Sequence, residues 1–254
     1  MLLCIDIGNT NVVLAVYAGN EILAEFIVES NLYQTADEYG IKIMDMFNYN
    51  NLDFSKITGV IIASVVPGLD SVFEKTIKKY LNLEPLFVGP GVKSGIRIKT
   101  DNPKQLGADI LVGAVAAYHK YGAPVIIIDM GTAITLFYVD HEKELVGGII
   151  VPGIRTSYAG LFSKTSRLEE VRAEKPLNVI GKDTVTCIQS GMIYGTASMI
   201  DGLIRKMKKE LQKDALVVIT GGEALAIKDF LEEEVIYDRH LIMEGLRIIF
   251  NRNN

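Results

Sequence analysis

Short apolar runs separated by polar turns occur in two groups, one at the start and one near the middle of the chain. They occupy residues 2–5, 12–17 and 22–28 in the first group, and 125–128, 134–139 and 145–151 in the second. Apolar runs of this length, bounded by turn residues, predict β-strands. Each group therefore predicts a three-stranded meander, and the recurrence indicates a duplicated fold with two related lobes.

The same short motif follows the first strand of each group, as Asp6-Ile7-Gly8 and as Asp129-Met130-Gly131. Glycine in a tight turn permits backbone conformations closed to other residues and lets a ligand approach closely. Backbone N–H groups in such a turn can bind an anion, and the aspartate can hold a cation that a phosphate also binds. Two such turns facing each other would suit a nucleoside triphosphate, although one Asp-x-Gly alone is also ordinary hairpin chemistry.

Apolar spacing and turn residues predict the other elements. We expect helices over residues 35–48, 70–81, 104–118, 154–162 and 184–209 and from residues 223 and 241, and strands over 59–64, 86–88, 216–220 and 235–237. The polar stretch 163–178 predicts a loop or a short helix over the cleft. The two lobes are expected to span residues 1–121 and 122–254, with no flexible linker between them.

Composition restricts the partners. The chain of 254 residues has a net charge of −5 and an isoelectric point near 5.3, which argues against a nucleic-acid-binding surface. No apolar run reaches the roughly 18 residues that a membrane span needs, and the amino terminus lacks the features of a signal peptide. We therefore expect a cytoplasmic protein. Its two cysteines and three histidines are too scattered to predict a metal site.

Two common nucleotide-binding patterns do not occur. No G-x-G-x-x-G follows the first strand, and the Asp-x-Gly turn leads into a strand and not into a helix, so a dinucleotide-binding Rossmann site fits poorly. No G-x-x-x-x-G-K-[ST] phosphate loop occurs either.

Seven short motifs lie in order along both halves of the chain. They are Asp6 to Thr10, Pro90 to Gly95, Asp101-Asn102-Pro103, Gly107-Ala108-Asp109, Asp129 to Thr132 with Thr135, Gly147 to Gly153, and Gly181 to Gly191 with Thr184. Each is weak alone, but together they resemble the type III pantothenate kinase family, within the superfamily of actin-like ATPases and sugar kinases.

The resemblance implies an α/β fold of two duplicated RNase H-like lobes, the actin-like ATPase fold, with a nucleotide cleft between them. It implies that ATP phosphorylates pantothenate to 4′-phosphopantothenate, the first step of coenzyme A synthesis. ATP would be used with Mg²⁺, and K⁺ or NH₄⁺ would be required. A homodimer is expected, with neither nucleic acid nor membrane as a partner.

The resemblance also implies roles for individual residues. The ATP phosphates would be held by Asp6, Ile7, Gly8, Asn9, Thr10, Asn11, Val12 and Val13, with Asp6 acting towards Mg²⁺. Thr132 would contact the nucleotide, and Asp129 would ligate the monovalent cation. The pantothenate pocket would be lined by Gly107, Ala108, Asp109 and Ile110, with Thr184 reaching the substrate from the neighbouring subunit. Asp109 would be the base, a role that suits a carboxylate because the hydroxyl loses its proton late in a loose phosphoryl transfer.

One departure from the family pattern bears directly on the substrate. The family usually has arginine directly after Gly-x-Asp, where this chain has Ile110. Arginine could hold a carboxylate or phosphate with two parallel hydrogen bonds, and isoleucine cannot. The alternative hypotheses are therefore a kinase of another small hydroxylated substrate, favoured by Ile110, and a non-catalytic regulator, disfavoured by the presence of Asp6, Asp109 and Asp129.

Overall fold

The computed structural model describes all 254 residues and divides into two compact units. The first contains Met1–Ala116 and His240–Asn254, and the second contains Ala117–Arg239. The lobes predicted at residues 1–121 and 122–254 assign the last fifteen residues differently, because in the structure they pack with the first sheet.

Helices and strands follow the predicted order with two differences: the short strand Arg97–Ile98 was not predicted, and the helix predicted over 184–209 is divided into two helices. The strands are β1 (Leu2–Ile7), β2 (Asn11–Ala18), β3 (Glu21–Glu29), β4 (Gly59–Ser64), β5 (Leu86–Phe87), β6 (Arg97–Ile98), β7 (Val125–Met130), β8 (Ala133–Val139), β9 (Glu144–Pro152), β10 (Leu216–Thr220) and β11 (Ile236–Tyr237). The helices are α1 (Ala36–Tyr49), α2 (Pro67–Leu81), α3 (Ala108–Tyr121), α4 (Ile154–Lys164), α5 (Thr184–Ser190), α6 (Thr196–Leu211), α7 (Ala224–Ile227) and α8 (Leu241–Asn253). A π-helical turn, Gly191–Gly195, joins α5 to α6. The stretch predicted as a loop or a short helix contains neither helix nor strand after Lys164.

The strand order confirms the duplication. In the first unit it is β3-β2-β1-β4-β5, and in the second unit the strands lie in the order β9-β8-β7-β10-β11. Strand β1 is antiparallel to β2 and parallel to β4, and β7 is antiparallel to β8 and parallel to β10. Each unit thus places its Asp-x-Gly turn at the carboxyl end of a central strand.

The first sheet is covered on both faces. Leu3, Ile5 and Leu14 belong to an apolar core with side chains of α1 and α2. Residues alternate between the faces of a strand, so Cys4 and Tyr17 lie on the other face. Helix α8 packs against β1, β2 and β4, with Arg247 over the Tyr17 ring at 5.8 Å from its centroid.

Helix α1 begins where its sequence provides a complete cap. The Thr35 hydroxyl accepts the Glu38 N–H at 3.3 Å, and the Glu38 carboxylate accepts the Thr35 N–H at 2.7 Å. This reciprocal pair satisfies two N–H groups that a helix start otherwise leaves without partners. The predicted helix over 35–48 is thereby confirmed, with Thr35 as its cap and not its first helical residue.

Candidate functional site

The first Asp-x-Gly turn is a pinned hairpin with exposed polar side chains. Asp6 lies near the end of β1, opposite Val13 on β2 and Ala63 on β4. The Gly8 N–H donates to the Asn11 carbonyl at 3.0 Å, and the Gly8 carbonyl accepts the Ser30 hydroxyl at 2.5 Å. Asn9, Thr10 and Asn11 are exposed. The turn therefore presents backbone and side-chain donors from a backbone that is fixed by strand pairing and by Ser30.

Glycine is needed in this turn for space and not for an unusual backbone angle. Neither Gly8 nor Gly131 has a positive φ, contrary to the expectation of a conformation closed to other residues. A Cβ on Gly8 would lie 3.1 Å from the Asn11 carbonyl oxygen, whereas one on Gly131 would lie at an ordinary 3.8 Å from the Ala133 oxygen. The close approach of backbone segments therefore explains Gly8.

The second turn repeats the first with one residue fewer. Pairing closes at Ile7 and Val12 in the first hairpin, and at Met130 and Ile134 in the second. Residues 8–11 therefore form the first loop and residues 131–133 the second, four residues against three. The first turn is therefore the larger of the two by one residue.

The carbonyl of Thr132 is held by the start of α4. It accepts the Gly153 N–H at 2.9 Å and the Thr156 hydroxyl at 2.7 Å. A Cβ on Gly153 would contact the Gly131 oxygen and would lie 2.8 Å from the Thr132 oxygen, so only glycine fits between α4 and this turn. Thr132 itself is exposed.

Asp129 lies beside a second glycine-dependent turn. It pairs in register with Thr135 on β8 and Thr220 on β10. Gly221 follows β10 with φ +97°, and a Cβ there would lie 2.5 Å from Asp129 Oδ1. The Gly221-Gly222 pair, which the sequence allowed either as a plain strand-to-helix turn or as a ligand contact, forms the turn between β10 and α7, and Gly221 packs on Asp129.

Asp109 is a half-buried carboxylate in the first turn of α3. Its Oδ1 accepts the Ile110 N–H at 2.8 Å, and a Cβ on Gly107 would collide with that oxygen. Burial raises the pKa of the Asp109 carboxyl above its usual range, and hydrogen bonds from the Ile110 and Asp109 N–H groups oppose part of the rise. A desolvated carboxylate is a stronger base than one in water, so the geometry suits proton acceptance. Ala108 and Ile110 beside it are also half-buried.

Thr184 lies in the second unit but does not belong to the Asp129–Thr132 turn. It is the first residue of α5 and is exposed, and the cap of that helix is Asp183, whose Oδ1 accepts the Thr186 N–H at 2.9 Å. Thr184 lines an open groove of about 590 Å³ whose apolar wall is formed by Tyr158, Leu161, Leu168 and Ile188. No residue of the Asp129–Thr132 turn lines this groove.

The aspartates do not form a cation cage made of protein alone. The structure has no group of three or more His, Cys, Asp and Glu side chains that could hold a metal ion. Mg²⁺ in phosphoryl-transfer sites is usually bound by one or two carboxylates together with substrate phosphates and water. Asp6 and Asp129 each lie near the end of a central strand beside a turn with polar groups, and a single carboxylate placed in this way is compatible with such a site. None of the helices has the length and apolar character required to cross a membrane.

The same strand order occurs in both units, and in each unit an aspartate turn closes the first hairpin. This arrangement defines an α/β protein of the actin-like ATPase and sugar-kinase fold. Solved structures share this fold. One is a protein from Campylobacter jejuni classed with the Baf family of transcriptional activators (20% identity, TM-score 0.63, covering 99% of this chain and 98% of that one). Another is the 2-hydroxyisocaproyl-CoA dehydratase activator from Clostridium difficile with bound ADPNP (12%, 0.56, 99% and 95%). A third is the ROK hexokinase from Thermus thermophilus (12%, 0.51, 98% and 97%).

The chain belongs to the type III pantothenate kinase family, whose sequence model matches residues 2–206. Membership makes it a kinase of the type that uses ATP and a small-molecule acceptor. The matched region contains the turns at Asp6 and Asp129 together with Asp109 and Thr184.

Proposed function

We propose that this protein transfers the γ-phosphoryl group of ATP to the primary hydroxyl of pantothenate, giving 4′-phosphopantothenate for coenzyme A synthesis. The observation that carries the proposal is Asp109, a half-buried carboxylate whose pKa is raised by desolvation, in a chain of this kinase family. A small alcohol needs such a group to orient its hydroxyl and accept the proton. The proposal includes a cytoplasmic location and a homodimer.

Different residues act on the nucleotide, on the cations and on the acceptor. The loop from Gly8 to Asn11 directs N–H groups and polar side chains at the ATP phosphates, and Thr132 contacts the nucleotide. Asp6 and Asp129 would hold Mg²⁺ and K⁺ or NH₄⁺, which neutralise charge that develops on the phosphates. Gly107, Ala108 and Ile110 line the acceptor pocket, and Thr184 completes it from the second subunit.

The proton of the acceptor hydroxyl passes to Asp109 as the new bond forms. The hydroxyl oxygen bonds to the γ-phosphorus, the bond between that phosphorus and the bridging oxygen of ADP breaks, and Asp109 receives the proton released by the hydroxyl. Because the transition state is loose, the carboxylate chiefly has to be oriented and basic at the end of the transfer. Its burial provides the basicity, and its hydrogen bond from Ile110 fixes its rotamer.

A second candidate is a kinase of another small hydroxylated compound, and Ile110 favours it. This half-buried apolar side chain follows the base directly and offers no donor to a carboxylate. An acceptor without a negative charge at that position would suit it better than pantothenate.

The test is an ADP-release assay with ATP, Mg²⁺ and pantothenate, run first in K⁺ and then in Na⁺. We expect pantothenate-dependent release in K⁺ and weak release in Na⁺. Release with a different hydroxylated acceptor in a substrate panel, and none with pantothenate, would favour the second candidate. No release with any acceptor would contradict both.

The cation role of Asp129 is tested by Asp129→Ala in the same assay. We expect loss of the K⁺-stimulated rate, because the substitution removes the carboxylate that would hold the ion beside the phosphates. Equal wild-type rates in Na⁺ and K⁺ would contradict this role, as would an Asp129→Ala enzyme that K⁺ still stimulates.

A further inference from the structure

Helix α4 begins without a cap from its own sequence. Its N-cap residue is Gly153, which has no side chain to accept a hydrogen bond, and its first turn contains no acidic residue. A helix start leaves N–H groups that need acceptors and carries partial positive charge. The acceptors for these N–H groups therefore come from outside the helix, either from other parts of the chain or from water.

Glu223 provides one of these acceptors from the turn after β10. Its Oε2 accepts the Ile154 N–H at 3.1 Å, and its Oε1 lies 3.4 Å from Arg155 Nε. The Glu223 side chain is only 15% exposed, so solvent competes little for the carboxylate, whereas the Arg155 side chain is 87% exposed. The backbone hydrogen bond to Ile154 is therefore the significant contact, and the ion pair contributes little.

The same residue is also tied to the end of β7. The Glu223 N–H donates to the Met130 carbonyl at 3.1 Å, directly before the Gly131-Thr132 turn. One residue thus connects two segments: its backbone fixes the strand before the turn, and its carboxylate fixes the helix whose first residues hold the Thr132 carbonyl. No other hydrogen bond described above joins the β10–α7 turn to α4.

We propose that Glu223 is a positioning residue for the nucleotide turn, acting through α4. The carboxylate holds Ile154, which keeps Gly153 and Thr156 against the Thr132 carbonyl and so fixes the direction of the Thr132 side chain. This inference rests on the proposed function in so far as Thr132 contacts ATP. The contacts of Glu223 with Ile154 and Met130 do not depend on the identity of the acceptor substrate.

The test compares Glu223→Ala with Glu223→Gln in steady-state kinetics. Alanine removes the acceptor, and we expect the KM for ATP to rise about tenfold, the effect of losing a hydrogen bond to a charged group. The kcat and the KM for the acceptor should stay within about twofold, because Asp109 and the Gly107–Ile110 segment around it lie in the other unit. Glutamine keeps an oxygen that can accept the Ile154 N–H, and it should restore most of the ATP affinity.

Thr35→Ala is the matched control, because it removes the cap of α1 far from this turn in the sequence. A general loss of stability would affect both alanine variants, whereas a positioning role predicts a raised KM for ATP in Glu223→Ala alone. Equal KM values for ATP in the two variants would overturn the proposal.

Hydrogen exchange separates this inference from the function proposed above. If the wild-type protein does not turn over ATP, the proposed function fails. Exchange of the Gly153 and Ile154 amides then tests whether Glu223 holds the start of α4 against the Thr132 carbonyl. Faster exchange in Glu223→Ala, with wild-type exchange in Thr35→Ala, supports it. Unchanged exchange in Glu223→Ala overturns it.

Discussion

Asp109 has an environment that favours catalysis and opposes stability. Burial raises the pKa of its carboxyl, which means that the folded state favours the neutral form. Below the ordinary carboxyl pKa this preference stabilises the fold, and the contribution is lost as the pH rises through the raised folded-state pKa. At neutral pH the protein therefore carries the cost of a desolvated charge at the position where a base is required.

Asp109→Asn should abolish turnover and raise stability at neutral pH. Asparagine keeps an oxygen for the Ile110 N–H but cannot accept the substrate proton, and a positioned base contributes about 10²–10⁴-fold to rate. Denaturant unfolding at pH 7 should show a higher free energy of unfolding for the variant, with the difference vanishing at pH 3. A variant that retains more than about a tenth of the wild-type rate would contradict the assignment.

Gly221→Ala should destabilise the second unit. Its φ of +97° is unfavourable for alanine, and the new Cβ would lie 2.5 Å from Asp129 Oδ1 and from the Met130 nitrogen. We expect a loss of about 1–3 kcal/mol in the free energy of unfolding, measured by denaturant titration. Gly222→Ala is the matched control, because nothing lies within 4 Å of its Cβ and its φ is not positive. Similar losses in both variants would show that the close approach to Asp129 is unimportant.

At the level of elements, the sequence predicted both hairpins but not their unequal lengths. Asp6-Ile7-Gly8 and Asp129-Met130-Gly131 look equivalent, and only strand pairing shows four loop residues in one and three in the other. Register depends on which face of each strand is buried, which a single run of apolar residues does not specify. The sequence also showed no sign that Glu223 accepts a hydrogen bond from Ile154, because the two residues are distant in sequence.

Two helical glycines give a matched test of packing. A Cβ on Gly245 in α8 would collide with the Val112 carbonyl of α3, whereas one on Gly202 in α6 would meet nothing within 4 Å. Gly245→Ala should cost about 1–3 kcal/mol from overpacking. Gly202→Ala should stabilise by up to about 1 kcal/mol, because alanine is the better helix former. Thermal unfolding of both variants measures the difference, and a Gly245→Ala protein as stable as the wild type would contradict the close contact of α8 with α3.

At the level of the whole molecule, α8 shows how far chain order and packing can differ. It follows the second sheet in sequence and covers the first, where Leu241, Leu246 and Ile249 are fully buried. Leu3 to Ile5 of β1 and Gly59 to Ala63 of β4 are buried on both faces, which requires cover on both faces of the sheet, whereas α1 and α2 pack on one.

Truncation after Arg239 should therefore prevent stable folding of the first unit. The three fully buried side chains alone contribute about 1.5–3 kcal/mol each, against a total stability of about 5–15 kcal/mol for a typical protein. Circular dichroism and a thermal melt of the truncated chain should show loss of cooperative unfolding. A truncated protein that melts like the full chain would contradict the assignment of α8 to the first sheet.

The sequence by itself determined the α/β class, the duplication, the order of most elements and the family, because apolar periodicity and motif order are local properties of the chain. The tertiary structure alone decided the pairing of Asp6 with Val13 and of Asp129 with Thr135, the burial of Asp109, the cap that Glu223 provides for α4, and the sheet that α8 covers. Each of these depends on contacts between residues far apart in sequence, whose energies arise only when strand register and helix packing bring them together.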